Sequence, residues 1–277
     1  MTGAITGSMP GTMTGPTDDG SRAAAGRIVV VIPAYGEAAT IAALVLRCRA
    51  IAEISHVIVV DDCSRDATAQ LAAEAGALVL RHKTNQGKGA SLRDGMIAAL
   101  DAGAGHIATL DGDGQHRPED LPRLIACCRN SPFEIVIGSR RAASKTAPRA
   151  RVIANRVADF WVSWAARHPI DDSQSGFRIY PADVVRRVAL RPDVAAGFAF
   201  ESEVLIEAGR LGVRTVAVDI PAIYGAGLRA SHFRPVSDIT RIVLMVAGKL
   251  LRAWMDPVGL WRSLTGRRLR WHDEAPR

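Results

Sequence analysis

The chain has 277 residues, a formal net charge of +7 and 48% hydrophobic residues, which supplies a sizeable core and excludes a protein disordered throughout. The positive balance suits an anionic partner, such as a nucleotide or an anionic membrane surface. Aromatics at 5%, with no interleaving of Arg and aromatic residues, argue against a base-stacking nucleic-acid platform.

Residues 1–26 are rich in Gly, Thr, Met and Ala, with Pro10 and Pro16. They lack the basic and apolar regions of a secretory signal and read as a disordered leader. Arg27 to Pro33 is a β-branched run expected to form a doubly buried strand, followed by the loop Ala34-Tyr35-Gly36-Glu37. Ile41, Leu44, Val45 and Cys48 then recur at helical spacing. His56 to Val60 reads as a second strand ending in Asp61-Asp62-Cys63-Ser64-Arg65-Asp66, with Asp66 the expected N-cap of an Ala-rich helix that stops at Gly76. Ala77 to Leu80 is a third strand, and Asn85-Gln86-Gly87-Lys88-Gly89 leads into a helix carrying Leu92, Met96 and Leu100. Ile107 to Leu110 is a fourth strand. Pro118 opens a helix through Arg129, and Glu134 to Ile137 is a fifth strand ending in Gly138-Ser139-Arg140-Arg141. This alternation predicts βαβ units and a mostly parallel sheet.

The fourth strand ends in Asp111-Gly112-Asp113-Gly114-Gln115-His116. Asp and Gly are ordinary turn formers, so a surface turn is one reading. The other is a seat for Mg²⁺ or Mn²⁺, which take carboxylate oxygens and complete their shell with water and phosphate. Ligands of open α/β sheets gather beyond the carboxyl ends of the strands. Tyr35 and Glu37, Asp61 and Asp62, Asp111 and Asp113, and Arg140 all follow strand ends. Together they favour one ligand cleft over four unrelated loops.

The second half is less regular. Ala150 to Arg167 reads as a helix with Val152, Ile153, Val157, Phe160, Trp161 and Trp164 on its apolar face. A polar loop, Asp171 to Arg178, precedes a possible short strand at Ile179-Tyr180; a helix over Glu201 to Leu211 and a strand over Thr215 to Pro221 follow. Ile239 to Met255 is apolar but carries Arg241, Lys249 and Arg252, and beyond it lie Trp261 and Trp271 among several arginines. Two readings stand: a helix lying in a membrane interface, or a core helix followed by a solvated basic tail. No run approaches the ~18–20 apolar residues of a membrane span. Four cysteines without Cys-x-x-Cys spacing fit a reduced cytosolic setting, three of them as small core residues.

The segments Ile32-Pro33-Ala34-Tyr35-Gly36-Glu37, Val60-Asp61-Asp62-Cys63-Ser64-Arg65-Asp66, Asn85 to Gly89, Asp111 to His116 and Asp172-Ser173-Gln174-Ser175-Gly176-Phe177-Arg178 stand in one order. In these the chain resembles the family 2 glycosyltransferases of GT-A fold, and among them the dolichyl-phosphate mannosyltransferase-like branch. The resemblance implies an α/β GT-A domain over 27–236, with a mostly parallel central sheet flanked by helices, and a C-terminal amphipathic helix with a basic tail over 237–277. It implies that Pro33, Tyr35, Glu37, Val60, Asp62, Lys88 and Gly112 line the site of a nucleotide-diphosphate sugar of the GDP-mannose or UDP-glucose type. Asp111 and Asp113 would hold that donor and its Mg²⁺ or Mn²⁺, with Gln115 a further ligand. Arg140 would serve donor and acceptor phosphates, and Arg151 and Asn155 the phosphate of a polyprenyl acceptor.

Two positions depart from the family pattern. Ala196 stands where a Lys is frequent, and Gly225 to Arg234 replaces a familiar Arg-x-x-Gly-Glu-Ser-Lys loop; Arg229 and His232 are the candidates to supply its charge. The implied reaction is inverting, metal-dependent hexosyl transfer by a cytoplasmic enzyme peripheral on the inner face of the membrane. Should the acceptor be a hydroxyl, a carboxylate must take its proton, and Asp172 is the candidate. A sugar nucleotidyltransferase would want a Gly-rich basic loop directly after the first strand, where this chain has Pro33 to Glu37. A dinucleotide dehydrogenase would want Gly-x-Gly-x-x-Gly there. Intact Asp111, Asp113, Gln115 and Arg140 count against a non-catalytic binding protein.

Overall fold

Strand β1 (Ile28–Ala34) is buried along its whole length, because alternate side chains feed two separate cores. Val29 and Val31 point into one, and Ile28, Val30 and Ile32 into the other. The computed structural model describes residues 27–140, 149–189, 199–221 and 235–271; the leader expected at 1–26 lies outside them. The remaining strands are β2 (Ile54–Asp61), β3 (Leu78–Arg81), β4 (His106–Thr109), β5 (Ile135–Ser139), β6 (Arg178–Pro181), β7 (Thr215–Asp219) and β8 (Leu269–Trp271). They form one sheet in the order β3-β2-β1-β4-β6-β5-β7-β8. Every neighbouring pair is parallel except those of β6, which runs antiparallel to both β4 and β5.

Helices α1 (Ile41–Arg49), α2 (Thr68–Glu74) and α4 (Leu121–Asn130) cover one face. The other is covered by α3 (Lys88–Asp101), α5 (Arg149–Ala166), α6 (Phe200–Arg210) and α7 (Pro235–Arg252), with α8 (Pro257–Thr265) packed on α5. Helix α3 lies so close to the sheet that a Cβ on Gly95 would come within 2.4 Å of Val31 Cγ1 and 3.0 Å of Val60 Cγ2. Gly95→Ala is therefore expected to destabilise the protein by about 1–3 kcal/mol through overpacking, although alanine is the better helix former by about 1 kcal/mol. Urea unfolding measures the balance; a stabilised variant would show that α3 can back away.

Several sequence expectations change. Helix α2 begins at Thr68 rather than directly after Asp66, yet Asp66 still serves its first turn by accepting from the Thr68 backbone N–H and hydroxyl. The apolar face assigned to α5 is only partly right. Trp164 is buried, but Ile153, Val157 and Phe160 are exposed, and the buried positions are Ala158, Asp159, Val162, Ser163, Ala165 and Ala166. The small residues among these let α6, α7 and α8 approach α5 closely.

The apolar stretch at 239–255 is not one helix to its end. Trp254, Met255 and Asp256 all take positive φ (51°, 58° and 26°), turning the chain sharply before α8. Asp256 then caps α8 by accepting from Gly259 N at 3.0 Å, and it is paired with Arg167 at 2.6 Å. The basic tail is not simply solvated. Leu269–Trp271 add to the sheet as β8, Arg268 and Arg270 both pair with buried Asp171, and Arg270 also reaches Asp219. Cys48, Cys127 and Cys128 are buried small core residues, as expected, and all four thiols are free.

Candidate active site

β1, β2 and β3 progress toward one side of the sheet and β4 lies on the other side of β1. The crevice between the carboxyl ends of β1 and β4 is thus a topological switch point, where α/β sheets bind ligands. The two loops that flank it are joined. Thr40 Oγ1 donates to Gly112 O at 2.6 Å, and a Cβ on Gly112 would stand 3.2 Å from both Pro33 O and Glu37 Cγ. Glycine at 112 is therefore a condition for this close approach.

On the β1 side, Glu37 is buried and its N–H donates to Thr68 Oγ1 at 2.8 Å, while Tyr35 is 40% exposed. Asp62 is buried at the end of β2. Its carboxylate accepts from Gln86 N at 2.8 Å and Gly87 N at 2.7 Å, and meets His82 Nδ1 at 2.8 Å; His82 Nε2 in turn lies 3.0 Å from Asp94. Asp62 thus anchors the loop that starts α3. Next to it, Cys63 has φ +63°, a left-handed conformation that glycine adopts far more readily than other residues. Val60 is a correction. Strand alternation turns its side chain away from Asp61 into the α3-facing core, where it is fully buried, so it offers the cleft no side chain.

Asp111 forms the centre. Lys88, the first residue of α3, places Nζ 2.7 Å from Asp111 Oδ1 and 2.9 Å from Glu201 Oε2. Burial works against the Lys88 charge, but Asp111 and Glu201 outweigh it and hold its pKa above the ordinary lysine value. Burial likewise pushes the Asp111 carboxyl up, and Lys88 followed by His116 and Arg140 reverse the direction, so it stays ionised. Behind it, a Cβ on Gly176 would strike Asp111 Oδ2 at 2.8 Å.

Asp113 is the opposite case. Burial first, and the neighbouring Asp111 second, push its carboxyl above the usual range, although Gln115 N donates to Oδ1 at 2.9 Å. Asp111 and Asp113, whose carboxylates repel each other, and Gln115 in the same loop offer hard oxygen donors, with Lys88 offsetting part of the Asp111 charge. That chemistry fits Mg²⁺ or Mn²⁺.

Arg140 follows β5. Asp172, with φ +52°, accepts from its backbone N–H at 2.9 Å, its Nε at 3.1 Å and its Nη2 at 3.1 Å. Burial raises the Asp172 carboxyl, but the Arg140 charge and hydrogen bonds prevail and hold it below the usual range. It therefore aims Arg140 and is a poor proton acceptor. The 173–178 loop is fixed by fully buried Arg178, which donates to Ser175 O, Ser173 O, Tyr180 Oη and Glu201 O at 2.7, 2.7, 3.0 and 2.9 Å.

The structure thus gathers Pro33, Tyr35, Glu37, Asp62, Lys88, Asp111, Gly112, Asp113, Gln115, Arg140 and Asp172 along one sheet edge. Asn155 is half-buried on α5. The Arg151 side chain, and Ala196, Arg229 and His232, lie outside the described residues. Two groups escaped the sequence reading. His116 is buried against Phe177 at 5.3 Å between ring centroids, and burial pulls its imidazole down to about 4. Glu201 was legible only as a helix start.

The model of glycosyl transferase family 2 matches residues 29–190. The undecaprenyl-phosphate mannosyltransferase of Micrococcus luteus is 31% identical over 207 residues, 70% of this chain and 82% of that one. The polyprenol monophosphomannose synthase of Mycolicibacterium smegmatis is 29% identical over 203 residues, 70% of this chain and 76% of that one. Among solved structures, glucosyl-3-phosphoglycerate synthase from Mycobacterium tuberculosis, in complex with Mn²⁺, UDP-glucose and phosphoglyceric acid, matches with a TM-score of 0.61 at 22% identity, covering 89% of this chain and 86% of that one. At that identity the likeness speaks for the fold, which is the expected GT-A architecture.

Proposed function

The chain belongs to glycosyl transferase family 2, and from that premise we propose that it transfers a hexose, with inversion, from a nucleoside-diphosphate sugar to a polyprenyl phosphate. The observation that carries the acceptor assignment is the state of Asp172. A hydroxyl acceptor needs a base, and the carboxylate that the sequence offers for that task is engaged three times by Arg140 and held below its usual range. A phosphate acceptor is already anionic and needs none. The names of the two curated relatives agree with this choice.

In this reading Tyr35, Glu37 and the loop anchored by Asp62 frame the nucleoside. Asp111, Asp113 and Gln115 would hold Mg²⁺ or Mn²⁺, which supplies neutralising charge to the leaving diphosphate. Arg140, aimed by Asp172, orients an acceptor phosphate oxygen in line with the anomeric carbon. That oxygen forms the new bond as the bond to the diphosphate breaks. Arg151 and Asn155 assist at the acceptor phosphate.

The acceptor would be met at a bilayer surface; no helix among the described residues is long and apolar enough to cross a membrane. Ten of the seventeen large hydrophobic residues exposed among the described ones lie on α5, α7, α8 and the turn between the last two, with Trp254 92% and Trp261 65% exposed. Over 242–271 the one acid, Asp256, is buried, while Arg252 and Arg262 are exposed. An apolar face with Trp and Arg and no exposed acid suits an anionic leaflet.

The test uses purified protein, Mn²⁺ or Mg²⁺, and radiolabelled GDP-mannose or UDP-glucose, with and without polyprenyl phosphate in vesicles. Metal-dependent label in the lipid phase is expected. Metal-dependent donor hydrolysis with no lipid label would keep the enzyme class and discard the lipid acceptor.

A further inference from the structure

Most buried polar atoms in a folded protein have a hydrogen-bond partner, and an exception at a cleft marks where a ligand completes the network. Glu201 Oε1 is such an exception. It is buried and has no partner among the described residues, while the other oxygen of the same carboxylate is committed to Lys88 at 2.9 Å. Because Lys88 also holds Asp111 at 2.7 Å, the unused oxygen lies one side chain away from the carboxylate assigned to the donor. We propose that Glu201 is a sugar-reading residue, its Oε1 accepting a hydrogen bond from a hydroxyl of the hexose in the bound donor. The proposal rests on the glycosyltransferase reading above and adds to it a specificity residue.

The chemistry of the ligand narrows the partner. An ionised carboxylate is acceptor-only, so it repels the oxygens of the diphosphate, which are acceptors too. The nucleoside belongs to the other end of the cleft, at Tyr35 and the loop held by Asp62. What remains beside Asp111 is the hexose, whose hydroxyls donate. Glu201 is also held rigidly. It sits in the first turn of α6 with its carbonyl oxygen fixed by fully buried Arg178 at 2.9 Å, and Arg178 is itself tied to Ser173, Ser175 and Tyr180. A carboxylate clamped at its backbone and at one oxygen presents the other in a fixed direction, which is what discrimination among hydroxyl positions requires.

The competing role is purely internal, with Glu201 acting only as a counter-ion that sets Lys88. Calorimetry on the full chain with Mn²⁺ separates the two, using GDP with GDP-mannose and UDP with UDP-glucose as probes. For Glu201→Ala, affinity for the matching nucleoside diphosphate is expected to stay within about twofold of wild type. Affinity for the sugar nucleotide is expected to fall about 10- to 100-fold, the range for a lost hydrogen bond to a charged group. Among monodeoxy analogues of the donor hexose, wild type should lose about tenfold or more at one position, and the variant should show no further loss there.

Equal losses for nucleoside diphosphate and sugar nucleotide would overturn the proposal in favour of the counter-ion role. Unchanged donor affinity with a fall in kcat alone would also overturn it, moving Glu201 to the acceptor side. Should Glu201→Ala not fold, Glu201→Gln keeps the volume and a partner for Lys88; undiminished donor affinity and an unchanged deoxy-sugar profile in it would be equally fatal. Wild type that binds neither pair of probes would instead remove the donor assignment on which the proposal stands.

Discussion

Asp113→Asn is expected to abolish sugar transfer, by a factor of roughly 10² to 10³ or more, while the metal-free protein unfolds at the same temperature as wild type or a higher one. Both halves come from one arrangement. In the proposed function Asp113 helps to hold the cation, yet without a cation its half-buried carboxyl lies beside Asp111 and is pushed above its usual range. A carboxyl whose folded pKa lies above its unfolded value binds its proton more tightly in the native state. Stability is then lost as pH rises through that window, and the cost is fully present at neutral pH. Asparagine keeps the shape and removes the cost. Thermal unfolding with and without Mn²⁺ adds a second readout, because wild type should gain stability from the ion and the variant should not. A stable variant with undiminished transfer would remove Asp113 from the metal site.

Arg140→Ala should be damaging in a different way, with loss of transfer and about 3 kcal/mol or more of stability at neutral pH. The side chain it strands, Asp172, is 5% exposed and keeps its charge in the fold because Arg140 is there. Asp172 has a depressed folded pKa, so its contribution is present above the unfolded carboxylate value and is lost as pH falls through the folded one. The stability gap between wild type and variant should therefore be widest near pH 7 and close in acid, where the stranded carboxyl can protonate. Urea unfolding at pH 7 and at pH 3 measures this. A gap that does not depend on pH would mean that Arg140 contributes by packing rather than through its charge.

Much of the site was legible because it lies where periodicity is strongest. β-branched runs locate β1, β2 and β4, and the strand-end rule then collects Tyr35, Glu37, Asp62, Asp111 and Arg140 without any knowledge of packing. Glu201 was not legible, since its tie to Asp111 runs through Lys88 and joins three segments far apart in sequence. Val60 was misjudged because a motif names neighbours in sequence, whereas a strand sends neighbours to opposite faces. The helix over 149–166 is apolar on more than one side, so composition alone could not tell the stripe that packs from the stripe left bare at Ile153, Val157 and Phe160. The basic tail misled for the opposite reason. Its arginines look solvated until Asp171, a distant partner, is brought beside them.

That last contact bears on when activity first appears during synthesis. Asp171 precedes Asp172, the residue that aims Arg140, and Asp171 is clamped by Arg268, just before β8, and by Arg270 within it. A nascent chain still lacking these arginines has the residues of most of its sheet and the whole Asp111–Asp113 pair, and in the proposed function it should already take up a nucleotide sugar. The loop that, in that proposal, steers the attacking phosphate through Arg140 is not yet braced. Donor binding should therefore mature before transfer as the chain leaves the ribosome, with β8 acting as the latch that commits bound donor to reaction.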